Sequence, residues 1–251
     1  MTCKCRIADI KVQFELEYER TVDSLSEFWD NFENPDLKLQ ISPEMFGLER
    51  KLFFGEHNIN YHDKTLENNA AFRVLAEKTP SYNAVVFHSA TFDVDGVGVA
   101  FAAHSGTGKT THMMLWQKLL GDRMTIVNGD KPIVRFFEDE PEQPYAYGTP
   151  WNGKEKLGCN MRTPLKHICF IERSETNYVE KMEKKEAIDR IFNQVYMPKD
   201  PIAVMNTMQL IDRLLSCCNL WIIHCNMEMQ AAKTAYEAVF EMQNAKCKMQ
   251  N

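Results

Sequence analysis

The stretch Ala103-His104-Ser105-Gly106-Thr107-Gly108-Lys109-Thr110-Thr111 decides how the rest of the chain is read. An apolar run (Val97, Val99, Ala100, Phe101, Ala102) leads into it, and a helix-like segment over residues 110–120, stopped by Gly121, leads away. Strand, glycine loop, Lys-Thr and helix is a layout that holds phosphate, and each residue type has a physical reason. Gly106 and Gly108 carry no Cβ, so the backbone can curl and aim successive N–H groups at one anion. The new helix adds its positive end, worth roughly 0.3–2 kcal/mol toward a nearby anion. Lys109 has the reach to span the outer phosphates, and the Thr110 hydroxyl stands where such loops ligate Mg²⁺. One position departs from the common pattern G-x-x-x-x-G-K-[ST], because Ala103 replaces its first glycine. The expected nucleotide-binding set is therefore His104, Ser105, Gly106, Thr107, Gly108, Lys109, Thr110 and Thr111.

A chain of 251 residues can bury a proper core, and 44% apolar with 25% charged residues is the make-up of an ordinary soluble globule. The net charge of −6 argues against nonspecific nucleic-acid binding and against attachment to anionic membranes. No apolar stretch approaches the length of a transmembrane helix, and Met1-Thr2-Cys3-Lys4-Cys5 begins no signal peptide, so the cytoplasm is the expected compartment. Cys3 and Cys5 are one residue apart, Cys217 and Cys218 adjoin, and Cys159, Cys169, Cys225 and Cys247 stand alone. Without a C-x₂-C pair a structural zinc site is not expected, and in the cytoplasm these thiols would be reduced. Self-association stays open.

Before the loop, Ile10, Val12, Phe14, Leu16 and Tyr18 alternate with polar residues, which predicts a half-buried strand. Ser24 and Glu27 form a capping-box pattern and predict a helix with Leu25, Phe28, Trp29 and Phe32 on one face. Leu37, Leu39 and Ile41 alternate as a short strand, Ser42-Pro43-Glu44 reads as a helix start, and residues 67–78 as a helix closed by Thr79-Pro80. Residues 1–80 are thus expected to form a small α/β appendage that could dock an acceptor, and residues 81–251 the phosphate-loop domain. Residues 84–92 read as one strand, with Asp95-Gly96 turning a hairpin into the loop. After the loop helix, residues 124–127 and 133–137 read as extended and 168–171 as a core strand. Residues 181–196 and 202–215 read as helices, 220–224 as a strand and 229–242 as a closing helix.

Asp130 ends a short apolar strand one helix length after the loop, where nucleotide enzymes place a carboxylate for Mg²⁺. The same group can accept the proton of an attacking hydroxyl; the alternative is a plain Asn-Gly-Asp turn. His88, in an apolar strand, is either a satisfied core histidine or part of the reacting set. Arg162, with Lys166 on the same stretch, is either a phosphate clamp or a solvated edge. Gly148, Trp151 and Gly153-Lys154 read as a ligand flap or a packed turn, and Glu172 with Arg173 as a surface ion pair.

The run from His88 to Thr110, His-Ser-Ala-Thr-Phe-Asp-Val-Asp-Gly-Val-Gly-Val-Ala-Phe-Ala-Ala-His-Ser-Gly-Thr-Gly-Lys-Thr, resembles the catalytic domain of HPr kinases. There a histidine, a strand, a Gly-x-Gly turn and a second strand lead to a G-x-S-G-x-G-K-[ST] loop at the same spacing. Residues 105–111 also resemble the nucleotide loop of phosphoenolpyruvate carboxykinases, which share that fold. Arg162 stands ten residues before Glu172, a spacing similar to an arginine and strand-ending glutamate of the kinases. The resemblance covers about residues 84–175 and implies an α/β fold with a mixed-sheet P-loop kinase core. It further implies ATP and Mg²⁺ as cofactors and phosphorylation of a serine-type hydroxyl, free or in a protein or peptide. In those terms Asp130, Lys109, Arg162 and His88 are the candidate catalytic residues, and Thr110 and Asp130 the candidate metal ligands.

Two departures qualify the match. HPr kinases carry a double Asp at the second motif, where this chain has Gly129-Asp130. The N-terminal block is shorter than theirs, and no carboxykinase metal-ligand set is present to carry over. The first expectation is an ATP-dependent, Mg²⁺-requiring kinase acting on a hydroxyl of a protein, peptide or small molecule. A nucleotide-binding regulator with little turnover is the alternative that Gly129 favours, and a decarboxylating carboxykinase does not suit this length.

Overall fold

The computed structural model describes residues 1–57, 61–104 and 106–241. Strands β1 (Thr2–Ile7) and β2 (Ile10–Glu15) form an antiparallel hairpin, with β3 (Leu37–Gln40) parallel to β2 on its other side. The alternation in β2 turns Ile10, Val12 and Phe14 inward. Cys3, Cys5 and Ile7 follow the same period in β1, a strand the sequence reading leaves out, so that both cysteines are core residues.

Helix α1 (Glu19–Ser24) ends where a helix was expected to begin. Its start is fixed from a distance: the buried Glu67 carboxylate accepts the N–H groups of Glu17 and Tyr18, at 2.5 and 3.1 Å. This anchor holds the backbone just before the helix, so that α1 starts at Glu19 and the local Ser24–Glu27 box starts no helix. Only a single tight turn (Ser26–Phe28) follows, and Trp29 bridges to the backbone of Cys5, leaving its ring 54% exposed. Helices α2 (Pro43–His57) and α3 (Asp63–Lys78) cover this first sheet, α3 burying Leu66, Ala70, Ala71 and Leu75.

The remainder builds a mixed sheet of nine strands. In chain order its elements are β4 (Ala84–Val86), β5 (Ala90–Val94), β6 (Val97–Ala102), α4 (Lys109–Leu120), β7 (Met124–Asn128), β8 (Ile133–Arg135) and β9 (Tyr145–Tyr147). Then come β10 (Arg162–Arg173), β11 (Tyr178–Lys181), α5 (Lys184–Phe192), α6 (Pro201–Cys217), β12 (Asn219–Cys225) and α7 (Met229–Tyr236), the last running on into a wider turn (Glu237–Glu241). The long β10 is the centre, parallel to both β6 and β12. Beyond β6 lie the antiparallel β5 and β7, and the N-terminal end of β10 pairs with β9, which leads to β8 and β4. The β5–β6 hairpin turns at Asp95 and Gly96, both with positive φ (52° and 85°), the mirror-image turn that suits strand twist.

The single strand expected over residues 84–92 is two. The chain leaves β8 as partner and joins β6 and β7, and between them His88 N–H donates to the Gln194 carbonyl at 2.6 Å and Ser89 N–H to the Asp130 carbonyl at 3.1 Å. The break frees the His88 side chain from the core. The core of the first sheet does not stop at Ala76; Ala84, Val86, Ile133, Tyr147 and Trp151 complete it. Among the described residues no helix is long and apolar enough to cross a membrane. Met242 and Cys247 lie outside the described residues.

Candidate functional site

The hairpin delivers the chain to the C-terminal end of β6, where the loop begins. Gly106 and Gly108 have φ of +78° and +126°, conformations that a side chain rarely adopts, so both glycines are required by backbone geometry. Ser105 lies outside the described residues. Thr107 N–H donates to the His104 carbonyl at 3.2 Å, and the first bond of α4 runs from His112 N–H to the Gly108 carbonyl at 2.9 Å. The amides of Lys109, Thr110 and Thr111 precede that bond and have no partner within the helix, which is the donor array an anion meets at a helix start. His104 and Thr111 are exposed and Thr110 half-buried.

Lys109 is buried, and its Nζ sits 3.0 Å from the Ala103 carbonyl and 3.4 Å from His88 Nε2. His88 Nε2 in turn lies 3.2 Å from Asp130 Oδ1, while Lys131 Nζ approaches Asp130 Oδ2 at 2.5 Å. Three expected site residues, His88, Lys109 and Asp130, therefore converge at the mouth of the loop. Burial alone would raise the Asp130 pKa, but the hydrogen bond from His88 and the charge of Lys131 outweigh it and hold the carboxyl well below the usual carboxylate range. Burial pulls the Lys109 amine down from its ordinary value, opposed by the Asp130 charge and aided by that of Lys131.

Arg162 does not join them. In the parallel register of β10 and β6, Leu165 faces Gly98 and Phe170 faces Ala102, so Arg162 lies beyond the end of β6 remote from the loop. Its guanidinium holds Asp9 at 3.3 Å and the Tyr147 hydroxyl at 3.1 Å and stacks 4.7 Å from the Tyr145 ring. The phosphate clamp expected of Arg162 is replaced by a brace on the β1–β2 turn.

The arginine at the loop is Arg173. It donates to the Thr107 carbonyl at 3.1 Å and the Gly106 carbonyl at 2.5 Å. A peptide carbonyl and the following N–H point in opposite directions, so fixing Thr107 C=O also fixes Gly108 N–H away from Arg173. The expected Glu172–Arg173 pair is absent, Glu172 pairing instead with Arg190 at 2.6 Å. Gln194 is a second residue that the sequence did not reveal. With its side-chain amide oriented to satisfy its surroundings, the nitrogen donates to the Ala103 carbonyl (3.1 Å) and the His88 carbonyl (3.2 Å). It ties the strand break to the start of the loop. No sequence signal marks it, whereas Arg173 was findable as the residue ending the strand beside the loop.

Residues 148–158 are a packed turn, not a flap. Thr149 Oγ1 donates to the Lys131 carbonyl at 2.8 Å, Asn128 Nδ2 to Thr149, and the buried Trp151 donates from Nε1 to the Asn68 carbonyl at 3.1 Å. A Cβ on Gly129 would stand 3.2 Å from the carbonyls of Asn152 and Leu157, a tight fit that would ask the turn to give by a few tenths of an ångström. Lys131 also lies 5.5 Å from the centre of the Phe72 ring, which brings α3 against the site.

Two cavities flank the loop. One of about 520 Å³ lies between the start of α4 and the ends of β10 and β12. The other, about 400 Å³, is lined on the far side of Thr107 by His104, Glu172, Arg190 and Gln194.

No family model matches the chain, and no curated protein matches it. Among solved structures it is similar to the Hpr(Ser) kinase/phosphatase from Coxiella burnetii, at 8% identity over 66% of this chain and 96% of that one, with a TM-score of 0.38. What the site can do follows from its own groups.

Proposed function

We propose that the protein binds a nucleoside triphosphate on the 104–111 loop and transfers its terminal phosphoryl group to a hydroxyl. The observation that carries this reading is the meeting of Lys109, His88 and Asp130 within 3.4 Å links at the mouth of a two-glycine loop that opens a helix. Loop amides and Lys109 would hold the phosphates. Lys109 already reaches back to the Ala103 carbonyl, a contact that a phosphate oxygen can replace.

The donor set suits a magnesium ion, which takes hard oxygens and needs few of them from protein. The Thr110 hydroxyl and the ionised Asp130 carboxylate would hold it, since each oxygen of Asp130 keeps lone pairs beyond its contact with His88 or Lys131. When bound, the ion would offset charge on the phosphates. Asp130, kept ionised by its neighbours, can orient the acceptor hydroxyl and take its proton late, as the bond to phosphorus forms. His88 holds Asp130 in place and Arg173 holds the loop. The N-terminal block, which meets Lys131 through Phe72 and Trp151 through the Asn68 carbonyl, is the proposed dock for the acceptor.

The test is transfer of label from γ-labelled ATP with Mg²⁺ to serine, to serine-containing peptides and to protein fractions, with Lys109→Ala as control. Transfer that survives this substitution would refute the assignment. The regulator reading has one observation of its own: Gly129 stands where the kinases carry a second carboxylate, and the turn packs closely over it. Tight ATP binding without transfer or hydrolysis would favour it.

A further inference from the structure

Lys131 is held more firmly than a surface lysine needs to be. Its N–H donates to Asn128 Oδ1 at 2.7 Å, beside the Asp130 N–H at 2.9 Å, and its carbonyl accepts the Thr149 hydroxyl at 2.8 Å. Asn128 and Thr149 are both buried, and the Asn128 amide bonds Thr149 in turn. A buried polar network with its members satisfied is rigid, so the Lys131 backbone is fixed by the core.

From that base the side chain turns back across Asp130. Its Nζ sits 2.5 Å from Oδ2, while His88 faces Oδ1, and it stands 5.5 Å from the centre of the Phe72 ring. The side chain is 36% exposed, so a ligand at the mouth of the loop can reach it. Contacts thus run in series from Lys109 through His88 and Asp130 to Lys131, with an ammonium group at each end. Two positive charges share one carboxylate, and neutralising Asp130 needs only one of them. The arginines nearby are committed elsewhere, Arg173 to two loop carbonyls and Arg190 to Glu172. Arg162, at the far end of β10, is out of reach.

We infer that Lys131 is a catalytic residue that leaves Asp130 Oδ2 to hold an oxygen of the phosphoryl group in transfer, facing Lys109 across it. The inference rests on the phosphoryl-transfer reading of the site. Negative charge on the moving phosphoryl is spread over its outer oxygens, and a preorganised cation beside them acts where that charge must be held. The move also bares Oδ2 for the acceptor hydroxyl, while His88 keeps Oδ1 in place. The ammonium stays protonated throughout, and no bond to its nitrogen forms or breaks.

The experiment uses ADP and Mg²⁺ with fluoroaluminate, which imitates the phosphoryl group between donor and acceptor, so the acceptor need not be known. Calorimetry on the whole protein should show ADP held more tightly with fluoroaluminate than without it. Lys131→Met should lose about a hundredfold of that gain, the scale of one donor to a developing charge, with affinity for ADP alone nearly unchanged. Lys131→Arg should recover part of the loss, which a role confined to packing would not produce. A methionine variant that keeps the whole gain overturns the inference, and so does an unaltered protein that shows none. Acetylation of Lys131 in the unaltered protein, read by peptide mass spectrometry, should slow with ADP, Mg²⁺ and fluoroaluminate beyond ADP and Mg²⁺ alone. An equal rate overturns the inference even if the variants do not fold. Failure of ATP to bind, or its equal binding to Lys109→Ala, instead brings down the phosphate reading and this inference with it.

Discussion

Strand β10 carries an arginine at each end, and each arginine holds a turn of left-handed backbone. At one end Arg173 grips the loop with Gly106 and Gly108; at the other Arg162 grips the turn of Ala8 and Asp9, whose φ values are 51° and 58°. The strand spans twelve residues, which at about 3.3 Å per residue puts the two arginines roughly 36 Å apart. What each takes differs. Arg173 binds two carbonyls, which turns the Gly108 amide away from it, while the Thr107 amide donates to the His104 carbonyl. Arg162 binds the Asp9 carboxylate, while Arg135 takes the Ala8 carbonyl at 2.7 Å, so that turn is closed on itself. Two positions of left-handed backbone without glycine cost about 1–2 kcal/mol each, and the brace offsets that cost. On the proposed function one end receives a ligand, whereas the other holds the N-terminal sheet.

The comparison can be broken most decisively at Asp130, the carboxylate on the receiving side. Asp130→Asn should cut phosphoryl transfer by about 10²–10⁴-fold, while ATP affinity changes far less. Unchanged turnover would make Asp130 a turn residue like Asp9. Its depressed pKa has a sign that can be checked. Its stabilising effect is complete above the unfolded value of about 4 and is lost as pH falls through the lower folded value, so acid melting curves of the Asn variant should fall less steeply below pH ~4.

Next in size is Lys109→Ala, which should remove most of the stabilisation by ATP and Mg²⁺, about 2.7 kcal/mol at a hundredfold excess over Kd. Thermal melts with and without nucleotide measure it. The two arginines themselves sharpen the contrast. Arg173→Met should lower ATP affinity about tenfold, on the scale of its two hydrogen bonds to the loop. Arg162→Met should leave affinity alone and lower the unliganded stability by up to about 1 kcal/mol, as expected for a half-exposed pair. If both variants lost affinity equally, the two ends would not be separate in function. The smallest effect belongs to Ala103→Gly: its carbonyl serves Lys109 and Gln194 through backbone alone, so affinity should stay within about a few fold.

The loop and its hairpin were legible because glycine spacing and the Asp95-Gly96 turn are local signals. Asp130 was legible by its distance from the loop. What the sequence concealed was set by contacts far apart in the chain. Glu67 anchors the backbone just before α1 from fifty residues away, and the helix ends at Ser24 where one was expected to begin. The pairing change between β8 and β6 split one apolar run and turned His88 from a core candidate into a partner of Asp130. Arg162 and Arg173 have the same chemistry, and only the parallel register of β10 with β6 tells which end meets the loop. For Gln194 even that register would not have helped, since its reach to Ala103 depends on where the chain goes after α5.

The shared core of the first sheet has a consequence for how the protein is made. Leu25, Leu66 and Leu75 share one core with Ile133, Tyr147 and Trp151, which are made much later. At about 5–20 residues per second a ribosome needs roughly 4–15 s to pass from Lys78 to Trp151. Through that interval the nascent hairpin and its helices hold an unfinished apolar face, a window for chaperone capture or for pairing with a neighbouring nascent chain. Slowing translation between those two points should lower the yield of folded protein more than the same slowing placed after Trp151.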